Sequence, residues 1–366
     1  MPTLLRSLLT IALIGDTSLA SDLPAWALGP FERPQQAAPV IKPEPLPEFP
    51  CPMRHAPVHW EFYHTFNPAA VLKDGHIQLL YRAEDNSGPM HIGGHTSRIG
   101  LASSDDGISF KCEATPILFP AEDSQKDFEW DGGCEDPRIA TSPDGTWVLT
   151  YTQYNKKSVR LGMATSKDLK TWEKLGSAFA GTKYENLGTK SASVLHEIRN
   201  GHLVAAKVRG TYWMYFGEQE VNAATSPDLV HWTPVESEPG KLLAVMKPRD
   251  GRFDSSLTEV GPPMILTPKG IILIYNGKNS TDDKRDPALS GGVYTCGQAL
   301  FDKDEPTRLI ERLDTPFFKP ELPWEKSGQY VAGTTFAEGL LFRNGRWFLY
   351  YGCADTFVGV AEAKAQ

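Results

Sequence analysis

The feature that most constrains this fold is a short pattern that recurs about every 60 residues along the chain. Each copy joins a run of small residues to a Ser/Asp turn and then to an aromatic residue that begins another strand. Three copies are clear, at residues 99–110, 161–172 and 222–232, and two are degenerate, at 294–300 with Asp302 and at 358–361. A unit of several strands that recurs about five times predicts a β-propeller.

The segments between the copies have the alternating or apolar character of strands, as at residues 76–82 and 346–351. No long stretch of the sequence has the periodicity of an amphipathic helix. We therefore predict an all-β chain folded as a five-bladed β-propeller, with a β-sandwich or another repeat-free all-β fold as the alternative. Asp105, Asp168 and Asp228 recur at one place in the pattern, which is typical of a turn-forming residue.

The first 50 residues divide into two segments. Residues 1–20 join one arginine to a short apolar run and then to small residues at Ser18 and Ala20, which is typical of a secretory signal peptide. Residues 21–50 contain eight prolines, so we expect an extended tether or a surface wrap without a regular core. Residues 51–366 are the predicted propeller and catalytic domain, and we expect a secreted or periplasmic protein.

Charge and composition exclude other classes. The net charge is −8 without a block of Lys and Arg, so a nucleic-acid partner is not expected. No apolar stretch is long enough to predict a membrane span. The five cysteines lack metal-ligand spacing and are expected to be mostly buried free thiols. His64, His91 and His95 also form no spaced metal set, and no metal or cofactor is predicted.

Residues 131–138 (DGGCEDPR) place two adjacent carboxylates between a glycine pair and a proline. Because neighbouring residues of a strand point to opposite faces, we expect only one of Glu135 and Asp136 to face the propeller channel. The proline that follows is expected to hold Asp136 in an extended conformation. By itself, this pattern is as consistent with a tight turn as with a catalytic site.

Six segments together resemble glycoside hydrolase family 130, which contains β-mannoside phosphorylases and β-mannosidases. They are residues 66–69, 81–85, 133–138, 151–154, 261–263 and 351–355, and their order and spacing also fit. The resemblance implies a five-bladed propeller with Asp136 as the proton donor. The residues that we expect to bind substrate on the same basis are Asn67, Arg82, Arg138, Tyr154, Lys190, Asn276 and Asp355.

Two departures from the phosphorylase pattern of this family favour hydrolysis. Phosphorylases of the family typically carry a His-Arg pair in mid-chain and a later Tyr-His-Gly, which bind phosphate. Here residues 207–218 replace the first, Asn276 replaces the later histidine, and the chain gains the carboxylate Glu218. An inverting hydrolase needs a carboxylate base to activate water, and Glu218 and Glu259 are the candidates.

We therefore predict an inverting β-mannosidase that cleaves oligosaccharides or glycans containing β-mannose, with β-1,2 linkages favoured. Export also favours hydrolysis, because a sugar phosphate released outside the cytoplasm would not be metabolised there. One alternative is a β-1,4- or β-1,2-mannoside phosphorylase that uses inorganic phosphate. A second alternative is a propeller that binds carbohydrate without catalysis.

Overall fold

The structure, a computed structural model, describes residues 23–365, so the predicted signal peptide at residues 1–20 lies outside the described part. Strands dominate this part of the chain. Its helices are one short α-helix, α1 (Lys126–Glu129), and one 3-10 turn (Pro323–Glu325). The all-β prediction is confirmed. Within residues 23–365 no helix is both long and apolar enough to cross a membrane.

The strands form a small N-terminal hairpin and, apart from a second hairpin, three sheets of eight, twelve and three strands, which we divide for description into five groups of antiparallel strands. The hairpin is β1 (Glu48–Cys51) and β2 (Ala56–His59). The first group is β3 (His64–Lys73), β4 (His76–Glu84), β5 (Ser97–Ser104) and β6 (Lys111–Cys112). The second group is β7 (Gly133–Thr141), β8 (Trp147–Tyr154), β9 (Val159–Ser166) and β10 (Glu173–Ser177).

The third group is the most divided. It contains β11 (Ala192–Arg199), β12 (His202–Ala205), β13 (Lys207–Val208), β14 (Thr211–Phe216), β15 (Val221–Ser226), β16 (Thr233–Pro234) and β19 (Ala244–Met246). Between β16 and β19 the chain forms a separate hairpin of β17 (Glu236–Glu238) and β18 (Lys241–Leu242). The fourth group is β20 (Leu257–Val260), β21 (Met264–Thr267), β22 (Gly270–Lys278), β23 (Tyr294–Phe301) and β24 (Leu309–Arg312). The fifth group is β25 (Thr335–Arg343), β26 (Arg346–Cys353) and β27 (Phe357–Lys364).

The early strands of the groups pack against one another. Strand β3 contacts both β7 and β25, while β11 contacts β7 and pairs in parallel with β21. Strand β25 also contacts β12 and β22. The polar ends of these strands are therefore brought to one place in the interior, where the candidate site lies.

The recurring turns share a Ser-x-Asp motif whose side chains accept backbone hydrogen bonds. In the first turn, the amide of Gly107 donates to Ser104 Oγ at 2.9 Å, and the amide of Ser109 donates to Asp106 Oδ1 at 2.7 Å. Asp168 and Asp228 accept the equivalent backbone hydrogen bonds in the next two turns. The assignment of Asp105 to this role was wrong by one residue. Asp105 instead pairs with His76 on the exposed side of the turn.

A buried tyrosine recurs in the second long strand of every group, which the repeat analysis missed. The five are Tyr81, Tyr151, Tyr215, Tyr275 and Tyr351. Four of them donate their hydroxyl to a buried carboxylate at 2.7–2.8 Å: these pairs are Tyr81 with Glu61, Tyr151 with Glu129, Tyr275 with Asp254 and Tyr351 with Glu325. The repeat is therefore held together by internal polar contacts as well as by its turns.

The proline-rich segment packs against the body of the protein. Ile41 forms a bridge with Val358, on β27. Arg33 donates to Glu325 at 2.7 Å. Phe31 and Phe49 are each buried in a hydrophobic cluster formed with strands of the body. The segment therefore lies along the surface of the body, with aromatic and aliphatic side chains buried between its prolines. All five cysteines are free thiols, and four of them are buried, as expected.

Candidate active site

A cavity of about 280 Å³ opens among the ends of these strands. Its wall is formed by Asn67, Arg82, Glu84, Ile92, Gly93, Glu135, Asp136, Tyr154, Val159, Lys190, Glu259, Tyr294, Gln329, Tyr330, Thr334, Phe336 and Asp355. Seven of the ten predicted site residues are in this wall, namely Asn67, Arg82, Asp136, Tyr154, Lys190, Glu259 and Asp355. An eighth, Glu218, contacts Lys190. The fold therefore gathers residues from all five groups of strands.

Two β-bulges aim the central side chains into this cavity. The register between β3 and β4 shifts at Asn67, and the register between β7 and β8 shifts between Glu135 and Arg138. Asn67 and Asp136 both have left-handed backbone, with φ of 49° and 47°. Asn67 Nδ2 donates to Asp136 Oδ1 at 2.8 Å. Bulges of this kind re-aim side chains near functional sites.

The bulge corrects two expectations about Asp136. The regular alternation of a strand fails there, so Glu135 and Asp136 both line the cavity rather than only one of them. Asp136 is also not extended before Pro137, because its φ is positive. The short polar side chain of Asp tolerates this conformation better than a branched one would.

Arg82 is the centre of a buried cluster of charges. Its guanidinium lies 2.6 Å from Glu84, 2.9 Å from Glu135 and 3.2 Å from Asp136. Its Nε donates to Ser97 Oγ at 3.0 Å. The planar guanidinium has enough donors to hold several carboxylates at once, so this cluster is fixed in place. We call Arg82, Glu84, Glu135 and Asp136 the Arg82 cluster.

A second charged cluster is built on Lys190, just before β11. Lys190 Nζ lies 3.5 Å from Glu218 Oε2. Ser191 Oγ donates to Glu259 Oε1 at 2.5 Å. The amide of Gly217 donates to the carbonyls of Lys190 and Ser191, both at 3.1 Å, so the turn that carries Glu218 is tied to this segment. We call Lys190, Glu218 and Glu259 the Lys190 cluster.

Burial and neighbouring charges separate the pKa values of these carboxyls. Burial raises the pKa of Glu135 and of Asp355 to about 7, although Arg82 opposes both shifts. Burial also raises the pKa of Glu259. For Asp136, burial is outweighed by the positive charges of Arg82 and Lys190, so its pKa lies below the ordinary value. Near neutral pH, Asp136 is therefore favoured as a carboxylate, while Glu135 and Asp355 are each about half protonated.

Two predicted substrate-binding residues do not line the cavity. Arg138 is buried beside it, where it pairs with Glu338 and donates to the carbonyl of Gly261 at 3.2 Å. Asn276 Nδ2 donates to the carbonyl of Ala337 at 3.0 Å, and Asn276 Oδ1 accepts from the amide of Ala337 at 2.7 Å. Both polar atoms of the Asn276 side chain therefore connect β22 to β25, and the prediction that Asn276 binds substrate was wrong.

Sequence reasoning missed several residues of the wall. Glu84 and Glu135 lie inside the segments that carried the family resemblance, so their presence in those segments was the available signal. Four aromatic side chains also line the cavity: Tyr154, Tyr294, Tyr330 and Phe336. Only Tyr154 was predicted. The other three come from loops and strand ends far along the chain, which no local pattern connects to Asp136.

Comparison with known proteins agrees with this assembly of residues. The family model described as beta-1,4-mannooligosaccharide phosphorylase, that of glycoside hydrolase family 130, matches residues 35–366. The chain belongs to glycoside hydrolase family 130. The family 130 resemblance seen in the six sequence segments is thereby confirmed.

The curated family 130 relatives are phosphorylases. A 1,2-beta-oligomannan phosphorylase from Thermoanaerobacter sp. (strain X514) is 32% identical over 88% of this chain and 97% of its own length. A Beta-1,2-mannobiose phosphorylase from the same organism is 30% identical over 84% of this chain and 92% of its own length. These relatives support the phosphorylase alternative better than the predicted hydrolase.

Solved family 130 structures are more similar to this chain. One was reported with the statement that the GH130 family of mannoside phosphorylases contains glycoside hydrolases that target β-1,2 mannosidic linkages in Candida mannan. It is 55% identical, covers 94% of this chain and 98% of its own, and superimposes with a TM-score of 0.91. A glycosyl hydrolase from Bacteroides ovatus is 53% identical, with 94% and 98% of the two chains covered and a TM-score of 0.91.

Proposed function

We propose that this protein is an enzyme that hydrolyses β-1,2-mannosides with inversion. In this proposal Asp136 is the catalytic acid, and Glu218 or Glu259 activates the attacking water. The observation that carries it is the charge around Lys190. This single ammonium group has carboxylates from Glu218, Glu259 and Asp136 as its electrostatic neighbours.

Few cationic side chains in this cavity are free to bind inorganic phosphate. The guanidinium of Arg82 is already shared among three carboxylates, and Arg138 is paired with Glu338. A phosphate anion next to Lys190 would also lie near the carboxylates of Glu218 and Glu259. Because like charges at close range repel strongly in a buried site, this arrangement favours a neutral nucleophile, which is water.

The proposed acid must carry a proton, yet its surroundings favour the carboxylate. The adjacent Glu135 and Asp355 have pKa values of about 7, so each holds a proton about half of the time near neutral pH. We infer that substrate binding moves a proton from this group of carboxyls onto Asp136, which then protonates the leaving oxygen directly or through a sugar hydroxyl. The raised pKa of Glu135, which contacts Arg82, and the raised pKa of Asp355 support this step.

A second candidate function is phosphorolysis of β-1,2- or β-1,4-mannosides. It is favoured by the curated relatives, which are phosphorylases at 30–32% identity. The solved structures at 53–55% identity include proteins described as hydrolases and favour the first candidate. The two candidates share Asp136 as the acid and differ in the nucleophile alone.

A product assay separates these candidates. The full chain is incubated with β-1,2- and β-1,4-linked mannobiose, with and without inorganic phosphate, and the products are identified by chromatography. We expect free mannose in both conditions, faster with the β-1,2 linkage and released as the inverted anomer. Mannose 1-phosphate formed only with phosphate would establish the phosphorylase. Saturable binding without any product would establish the non-catalytic propeller.

We also infer the architecture and location that the sequence predicts. Five antiparallel groups, with contacts among β3, β7, β11, β21 and β25, support a five-bladed β-propeller as the catalytic domain of residues 51–366. We propose removal of residues 1–20 as a signal peptide and a secreted or periplasmic location, supported by the apolar run and small residues at that end. N-terminal sequencing of the exported protein tests the cleavage.

A further inference from the structure

Three buried side chains next to the cavity converge without forming hydrogen bonds to one another. His64 begins β3, Glu84 ends β4, and His95 lies in the loop between β4 and β5. One ligand atom of each lies within 4.8 Å of the other two. All three side chains are buried, with 8%, 1% and 1% exposure for His64, Glu84 and His95.

Hydrogen bonds on the far side of each imidazole assign its tautomer. His95 Nδ1 lies 2.6 Å from the carbonyl of Ser87, which can only accept, so Nδ1 carries the proton. His64 Nδ1 lies 3.3 Å from Thr356 Oγ1, and that hydroxyl donates its own proton to the carbonyl of Ala354. In both rings the proton is therefore on Nδ1, and Nε2 carries an unprotonated lone pair.

The atoms that remain are three unsatisfied acceptors. His64 Nε2, His95 Nε2 and Glu84 Oε2 have no hydrogen-bond partner among the described residues. The other oxygen of this carboxylate, Glu84 Oε1, accepts from Arg82 at 2.6 Å. Buried polar atoms are nearly always paired, and three acceptors that share one place without a proton between them are suited to bind a cation.

We propose that His64, Glu84 and His95 form a binding site for a divalent transition-metal ion, with Zn²⁺ as the best match. Two neutral imidazole nitrogens and one carboxylate oxygen are ligands typical of zinc, whereas calcium and magnesium prefer oxygen alone. Three protein ligands leave a further coordination position for water. The hydrogen bonds of the two Nδ1 atoms are the outer contacts that orient metal-bound histidines.

The ion would have a positioning role. The loop at residues 85–96 contributes His95 to this site and Ile92 and Gly93 to the cavity wall. A bound ion would tie this loop to β3 through His64 and to β4 through Glu84. Because Glu84 also holds Arg82, the ion would stabilise both the loop and the Arg82 cluster. This inference is independent of whether the enzyme transfers mannose to water or to phosphate.

Metal binding can be measured directly on the full chain, without a histidine tag. The protein is treated with a chelator, dialysed, and titrated with Zn²⁺ by calorimetry, with Ca²⁺ and Mg²⁺ in parallel. We expect one Zn²⁺ bound per chain, no saturable binding of Ca²⁺ or Mg²⁺, and a melting temperature that rises with Zn²⁺. Co²⁺ in place of Zn²⁺ should give visible absorption bands of a low-coordinate site.

Variants locate the ion. His64→Gln and His95→Gln should each lower the affinity for Zn²⁺ by more than about 100-fold, beyond the range for outer contacts, and abolish its effect on melting. His202→Gln, which removes an imidazole from β12, should leave both unchanged. Failure of the wild-type protein to bind Zn²⁺ saturably would overturn the proposal even if a variant did not fold. Equal binding by wild-type protein and His95→Gln would overturn it as well.

Discussion

The two charged clusters of the cavity differ in how tightly they are held. In the Arg82 cluster, one guanidinium contacts three carboxylates at 2.6–3.2 Å, and the side chain of Arg82 is 9% exposed. In the Lys190 cluster, the ammonium lies 3.5 Å from Glu218, with side-chain exposures of 26% for Lys190 and 34% for Glu218. The first cluster is buried and tightly paired, while Lys190 and Glu218 of the second are partly exposed to solvent.

This difference matches the two halves of the proposed hydrolytic reaction. An acid must be held in one geometry against the leaving oxygen, which the fixed Arg82 cluster provides for Asp136. A base must reach a water molecule, which the more open Lys190 cluster allows at Glu218. Glu259 is fully buried and fixed by Ser191, so within its own cluster it is the more rigid of the two candidates.

The largest expected effect comes from removing the proposed acid. Asp136→Asn keeps the shape of the side chain and a hydrogen-bonding atom for Asn67, but it cannot donate a carboxyl proton. We expect turnover of β-1,2-mannobiose to fall about 10²–10⁴-fold, with an unchanged circular dichroism spectrum. Asp74→Asn, in the exposed turn between β3 and β4, is the matched control and should keep full activity. Normal turnover by Asp136→Asn would show that the Arg82 cluster takes no part in the reaction.

The next effect distinguishes the candidate bases. If Glu218 or Glu259 activates water, its replacement by Gln should lower turnover about 10²-fold or more, while the other variant should change mainly KM. Azide added to the corresponding Ala variants should restore turnover only where the base was lost, because azide needs no base. Equal turnover by both Gln variants and the wild-type protein would contradict water activation by the Lys190 cluster.

A smaller effect is expected from a glycine that supports Asn67. A Cβ added to Gly352 would lie 2.2 Å from Asn67 Oδ1 and 3.1 Å from the Asn67 amide. Gly352→Ala should therefore push Asn67 away from Asp136 and lower turnover about 10-fold, as small displacements in an active site do. Gly188→Ala, where the nearest atom is 4.0 Å from the added Cβ, is the control. Unchanged activity of Gly352→Ala would show that the Asn67 contact is dispensable.

The parts of the fold that could be predicted from sequence are those whose contacts are local. The Ser-x-Asp turns were found because all their contacts lie within a few residues, although Asp105 was chosen where Asp106 makes the contacts. The buried tyrosines were missed because their partners are distant: Tyr81 bonds Glu61, and Tyr151 bonds Glu129. A tyrosine in an apolar strand gives no local sign of a buried carboxylate.

The site shows the same limit. Asn67, Arg82 and Asp136 were placed in it by family resemblance, and the cavity contains all three. The expected alternation of side chains between the two faces of a strand does not hold at Asp136. A bulge and a positive φ turn Asp136 toward the same cavity as Glu135. Asn276 was misplaced because its partner, Ala337, lies on a strand that the sequence pattern does not connect to β22.

The smallest expected effect is the pH dependence of stability due to Glu135. Its pKa is about 7 in the folded protein and about 4.3 in an unfolded chain, so between these values the folded protein alone holds the proton. The stability that this proton contributes is present at low pH and is lost as the pH rises through 7. Relative to Glu135→Gln, the wild-type melting temperature should therefore fall by about 2–4 °C for each kcal/mol lost between pH 5 and pH 8.

Differential scanning calorimetry at several pH values measures this difference. Glu173→Gln, on β10 and away from both clusters, is the control and should follow the wild-type protein across the range. A constant difference in melting temperature between Glu135→Gln and the wild-type protein would show that Glu135 is ionised throughout. The proton for Asp136 would then have to come from Asp355, and Asp355→Asn would be the variant that loses acid catalysis.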